Sequence, residues 1–158
     1  MGRVWRVTEA LQQGTTPVTL LDTVRSLRAS GITIPIIVMG YVNPMTSYGP
    51  DRWVTDAIEA GVDGLIIVDL PPDEAAELEI PAHKAGLHII YLVAPTSTDD
   101  RLRLVADHAS GFVYCVSLAG TTGTRSELPQ DLPEFIARVR AQADLPLGIG
   151  FGISERGH

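Results

Sequence analysis

Two stretches of this chain end in residues suited to holding an anion. Gly111-Phe-Val-Tyr-Cys-Val-Ser-Leu-Ala-Gly-Thr-Thr-Gly-Thr-Arg125 is an apolar run that breaks into glycine, threonine and arginine. Gly148-Ile-Gly-Phe-Gly-Ile-Ser154 does the same in shorter form. Backbone N–H groups and small hydroxyls gathered at a strand end make a concave donor set, and phosphate is its commonest guest. Gly120, Gly123 and Gly152 suit that role, and suit equally the role of turn glycines at positive φ. Tyr114 alternates with Phe112 and Val116, so it either packs a core or lines a pocket, roles that nearly coincide inside a barrel. Asp69 closes another apolar run and either caps the next helix or faces a ligand. Cys115 points to the opposite face from Tyr114 and reads as buried against helices, without chemistry. Met39 and Met45 read as core and loop filler. His83, His88, His108 and His158 are scattered without ligand spacing, and one cysteine allows neither an internal disulfide nor a multi-cysteine metal site.

These residues must be positioned by a repeating frame. Apolar runs at about 35–41, 64–69, 88–94, 111–117 and 146–151 read as strands. Continuous rather than alternating, they look like strands buried on both faces of a parallel sheet. Helices fit over 3–13, 17–29, 50–60, 73–85, 99–109 and 131–142. Thr16 reads as an N-cap with Pro17 at the first helical position. Leu20, Leu21, Val24, Leu27 and Arg28 form one stripe at helical spacing. Asp73, Glu74, Thr98, Asp99, Asp100, Asp131 and Glu134 stand near helix starts, where the macrodipole favours them. The strand-to-strand interval is that of a βα repeat. The expected fold is α/β, one partial domain over residues 1–158: an incomplete (β/α)8 TIM barrel of about five parallel strands with flanking helices. In such a barrel, chemistry gathers where strands end and βα loops begin. Each run here ends in a polar or glycine-rich break at that point. A G-x-G-x-x-G after the first strand is absent, against a dinucleotide-binding sheet.

The 158 residues are ordinary for a folded domain: 45% apolar and 20% charged, with a net charge of −7. No block of lysine or arginine exists, which sets aside nucleic acid and anionic membrane as partners. No apolar run approaches the roughly 20 residues of a membrane span. The opening Met-Gly-Arg-Val-Trp-Arg has no signal-like apolar stretch, and a cytoplasmic location is expected.

Taken in order, several motifs closely resemble the α subunit of tryptophan synthase. They are Ile36-Ile-Val-Met-Gly-Tyr-Val-Asn-Pro44 with Tyr48-Gly49, Gly61-Val-Asp-Gly-Leu-Ile-Ile-Val-Asp-Leu-Pro-Pro-Asp-Glu74, and Leu92-Val-Ala-Pro-Thr-Ser-Thr98. Ser110-Gly-Phe-Val-Tyr114, Gly120-Thr-Thr-Gly-Thr-Arg125 and Gly150-Phe-Gly-Ile-Ser154 complete the set. The resemblance covers all but the last four residues, from the family's second helix to its seventh strand. It implies a TIM-barrel lyase of tryptophan biosynthesis that cleaves indole-3-glycerol phosphate, without a cofactor, to indole and glyceraldehyde 3-phosphate. It further implies a β-subunit partner, to which pyridoxal phosphate belongs.

The resemblance also implies roles. Thr122 corresponds to a loop threonine that bonds the catalytic aspartate. Gly123 and Gly152 correspond to phosphate contacts, and Tyr114 to an indole-pocket aromatic. Asn43, Pro44 and Pro71 correspond to loop positions facing the β subunit. Leu118 stands where many relatives carry a basic residue, and Arg3 where proline is usual. The family's two catalytic carboxylates, its first two strands and its eighth lie outside the matching stretch. An acid–base group is worth about 10²–10⁴-fold, so the 158 residues by themselves are expected to be inactive. The competing readings are a chain that only docks on a β subunit, a non-functional piece of a longer reading frame, and another phosphate-binding TIM-barrel enzyme.

Overall fold

The computed structural model describes residues 16–116 and 131–150. The helix expected over 3–13, together with Thr122, Gly123, Gly152, Leu118 and His158, lies outside the described residues. The described elements run α1 (Pro17–Ala29), β1 (Ile37–Gly40), α2 (Val42–Tyr48), α3 (Pro50–Ala60), β2 (Gly64–Ile67), a 3-10 turn (Pro72–Glu74), α4 (Ala76–Ala85), β3 (His88–Ile90), β4 (Leu92–Val93), α5 (Asp99–His108), β5 (Val113–Val116), α6 (Leu132–Arg140) and β6 (Leu147–Gly150).

Among the described residues all strand pairings are parallel, in the order β1-β2-β3 and β4-β5-β6. The run expected as one strand over 88–94 is split at Tyr91. Its first half pairs with β2 and its second with β5. Tyr91 still contributes a carbonyl, which accepts from Tyr114 N at 3.0 Å. Strand twist explains the split: one short run rotates from one neighbour to the next as the sheet curves. The five expected strand runs therefore form one curved parallel series.

The local chemistry of the helices is readable. Thr16 caps α1 in a reciprocal box: its Oγ1 accepts from Thr19 N, and its own N–H donates to Thr19 Oγ1 at 2.8 Å. Thr98 caps α5 through Arg101 N. In α3, Trp53, Val54, Ala57 and Ala60 are buried at helical spacing, and they carry that helix onto the sheet. The helix expected over 73–85 divides into the 3-10 turn and α4, so Asp73 and Glu74 lie in the turn. Proline at positions 71 and 72 favours the extended entry and the tight first turn.

The main core lies between the helices and the outer face of the strands. Val38, Leu65, Ile67, Ile89, Val93, Val113 and Cys115 meet Leu21, Val24, Trp53, Leu78, Leu102, Val105, Phe135 and Val139 there. The expectation of strands buried on both faces holds for β2 and for Ile89 and Ile90 of β3, and fails for β1, β5 and β6. Met39 on the inner face is 50% exposed, contrary to its reading as core. Met45, read as loop filler, is buried on α2. On α1 the stripe is narrower than expected: Leu21 and Val24 are buried, while Leu27 is exposed. Arg28 is not apolar lining; its guanidinium bonds the loops at the sheet's opposite end.

Candidate functional site

Because the strands are parallel, their C-terminal ends share one rim. Register assigns the inner face. Met39 is level with Ile66, Ile66 with Ile90, Leu92 with Tyr114, and Tyr114 with Gly148. Alternation along each strand puts these residues opposite the helix-packed set. Tyr114, expected to line a pocket, is on this face and half-buried, and its strand neighbour Cys115 is fully buried on the other. Burial pushes the Cys115 thiol up to about 11, so it is protonated and unreactive at neutral pH.

The Tyr114 ring is seated by glycine. A Cβ at Gly150 would fall 1.9 Å from the phenol oxygen, and one at Gly148 would fall 2.9 Å from the Phe112 ring. Phe112 and Tyr114 lie 6.5 Å apart, tilted by 45°. Gly148-Ile-Gly150 thus gives up two side chains so that two aromatic rings of the neighbouring strand can lie against its backbone. This use of glycine is distinct from the anion-binding role read for the segment that follows.

Of the two roles read for Asp69, the structure overturns one. It does not cap the following helix, whose N-cap residue Ala75 makes no side-chain cap bond. Its Oδ1 instead accepts from Val42 N at 2.8 Å, at the start of α2, two helices back in sequence. It also lines an open cleft of about 210 Å³ with Val68, Pro71, Tyr91, Leu92 and Arg101. Arg101 Nη1 stands 3.5 Å from Asp73 Oδ1 across that rim. Asn43 and Pro44, expected in a loop, form the first turn of α2, where both are exposed. Pro71 is half-buried in the cleft wall. The structure thus brings Asp69, Pro71 and the α2 start to one rim, and sets Tyr114 on the inner face.

Met39 and Val68 were missed as site residues. Both are apolar, both are exposed, and both stand toward the rim. Met39 is itself an inner-face register position and Val68 stands two residues beyond Ile66, which shows only once the register is known.

A second cluster lies outside this site. Glu79 on α4 is nearly buried. It accepts from the Tyr91 hydroxyl at 2.6 Å and contacts His108 Nδ1 at 2.9 Å. Since both carboxylate oxygens only accept, Nδ1 carries the hydrogen in this contact. Ser110 Oγ accepts from Ile89 N, and His83 Nε2 stands 3.5 Å from it. Histidines 83 and 108 thus make polar contacts with Ser110 and Glu79 that tie neighbouring elements. Burial first, and the Glu79 bond second, push the Tyr91 phenol well above its ordinary range. A phenol held neutral in the folded state adds stability that is complete below its unfolded value of about 10 and lost as pH rises beyond it. The urea midpoint is therefore expected to fall progressively as pH rises above about 10, and Tyr91→Phe to flatten that fall. An unchanged slope in the variant would remove Tyr91 as its cause. Among the described residues, no three His, Cys, Asp or Glu side chains converge as a metal site would require. Nor is any described helix long and apolar enough to cross a membrane.

Parallel βα units with an aromatic inner face and a rim of loop and helix starts define a barrel-type α/β protein with its site at the strand C-termini. Residues 6–158 match the family model described as tryptophan synthase alpha chain, and the chain belongs to that family. It is 53% identical over 143 residues to the tryptophan synthase alpha chain of Gluconacetobacter diazotrophicus, covering 90% of this chain and 52% of the relative. It is 49% identical to the tryptophan synthase of Saccharomyces cerevisiae, covering 96% of this chain and 22% of that one. In structure it resembles the tryptophan synthase a2b2 complex of Pyrococcus furiosus, with a TM-score of 0.87, 35% identity, and coverage of 96% and 60%. The Legionella pneumophila alpha chain gives 0.79 at 40% identity, covering 92% and 53%. The chain spans about half the length of the alpha-chain relatives it matches.

Proposed function

We propose that this chain supplies the aromatic and phosphate-binding side of a pocket that cleaves indole-3-glycerol phosphate. The observation that carries the reading is the inner-face Tyr114, seated against Gly150 one strand away. In this reading a planar guest would stack beside the phenol ring. The segments Gly120-Thr-Thr-Gly-Thr-Arg125 and Gly150-Phe-Gly-Ile-Ser154 follow β5 and β6 in sequence. They would contribute the phosphate contacts of Gly123 and Gly152 and the loop hydroxyl of Thr122.

In the cleavage, the bond between the indole ring carbon and the glycerol chain breaks. Its electron pair stays with the indole carbon, which takes a proton. A base removes the hydroxyl proton, and that carbon becomes the aldehyde of glyceraldehyde 3-phosphate. This route needs acid–base groups and electrostatic support but no cofactor. The carboxylates assigned to those steps by family resemblance are not among the residues matched here. Asn43, Pro44 and Pro71 would face a tryptophan synthase β subunit, and the reaction would be cytoplasmic.

Calorimetric titration of the chain with indole-3-glycerol phosphate tests the pocket. Tyr114→Ala is expected to weaken binding by about tenfold or more, the scale of one lost aromatic contact. Equal affinity in both forms would overturn the pocket. Release of indole by the 158 residues alone would overturn the assignment of the acid–base work to other residues.

A further inference from the structure

We propose that Asp69 is a positioning residue: it caps α2 across the sheet and thereby sets the surface that α2 presents to a partner. The inference rests on the partner reading given above. α2 has seven residues, and Tyr41 at its N-cap makes no side-chain cap bond. So short a helix is poorly stable by itself, and its first amides need acceptors from elsewhere. Asp69 supplies one from the end of the neighbouring strand, through Oδ1 to Val42 N at 2.8 Å. A carboxylate there also complements the helix dipole.

The placement of Asp69 is fixed from the other side. Val68 N donates to Gly40 O at 3.1 Å, so the β1–β2 ladder continues to the residue before it. Asp69 therefore joins two surfaces. Through the backbone it follows Val68, on the inner face. Through its side chain it holds the turn bearing Asn43 and Pro44, both exposed. It also lines the rim cleft, so a donor entering that cleft competes with Val42 for the carboxylate. Occupancy of the rim and the set of α2 are then linked through one side chain.

Two variants test this. Asp69→Ala removes the acceptor, and Asp69→Asn keeps an acceptor oxygen without the charge. In hydrogen exchange, Asp69→Ala is expected to lose protection at Val42 and through α2, with α3, α5 and α6 unchanged. Its affinity for purified tryptophan synthase β subunit is expected to fall by about tenfold, the effect of one lost cap. Asp69→Asn is expected to stay within about threefold of the parent in affinity and to keep most of the protection. Loss of protection spread evenly over the chain would make Asp69 an ordinary stability residue and overturn the proposal. Equal binding by Asp69→Ala and the parent would overturn the docking role. If the parent itself does not bind the β subunit, the partner reading fails and takes the docking role with it. The exchange pattern still decides whether Asp69 caps α2.

Discussion

Arg28→Ala is expected to lower the folding free energy by about 2–4 kcal/mol, among the larger effects available to a half-exposed residue. One guanidinium holds four separate groups. Nε and Nη2 donate to Gly61 O at 2.9 and 2.7 Å. Nη1 donates to Ile32 O at 3.0 Å and Ile34 O at 2.8 Å. Nη2 also pairs with Asp63 Oδ2 at 2.5 Å, and that oxygen accepts from Ile36 N at 2.6 Å. The end of α1, the loop into β1 and the turn between α3 and β2 are thus tied at one point. Water can replace Arg28 at the exposed Ile32 and Ile34 carbonyls, so the loss concentrates at Gly61 and Asp63. Arg28→Lys is expected to recover less than half, since one ammonium cannot span a fork-shaped set of acceptors. Urea unfolding with a fitted slope checks both variants. A loss under about 1 kcal/mol for Arg28→Ala would show that the tie is ornamental to the fold.

Gly150→Ala is the second. The added methyl would meet the Tyr114 phenol carbon at 2.4 Å and its oxygen at 1.9 Å, so the ring must leave its seat or β6 must move. Overpacking of this kind costs about 1–3 kcal/mol. The cost should depend on the ring. In a Tyr114→Ala background, Gly150→Ala is expected to be nearly neutral, giving a coupling of about 1–2 kcal/mol between the two positions. A double-mutant cycle in urea midpoints measures that coupling, and strict additivity would dismiss the seat. The same substitution should also weaken indole-3-glycerol phosphate binding to the extent that Tyr114→Ala does, because both remove the ring from one place.

The helices were the most legible part of the chain. Pro50–Ala60 and Pro17–Ala29 have the expected bounds because their caps, prolines and terminal glycines are local signals. The short α2 was not legible. Tyr41 offers no cap, Pro44 reads as a breaker, and the acceptor that completes the helix is 27 residues away at Asp69. The 88–94 run was legible as extended but not as divided, since the division at Tyr91 comes from which neighbour each half pairs with. Tyr114 was placed correctly because alternation along one strand is a local rule. Its seat was not foreseen, because nothing in the spacing of Gly148 and Gly150 says that two rings from the preceding strand will fill their missing side chains.

The sequence by itself determined the βα order, the Thr16 cap, the burial of Cys115 and the family, because period, capping and ordered motifs are written in neighbouring residues. Only the tertiary structure decided that Asp69 holds α2, that Arg28 ties three segments, that Met39 and Val68 stand exposed toward the rim, and that Glu79 gathers Tyr91 and His108. Each of these is a contact between residues far apart in the chain. A carboxylate or guanidinium carries no local mark of its partner. Which groups it meets is set by how the parallel strands register and twist, and that is a property of the packed whole.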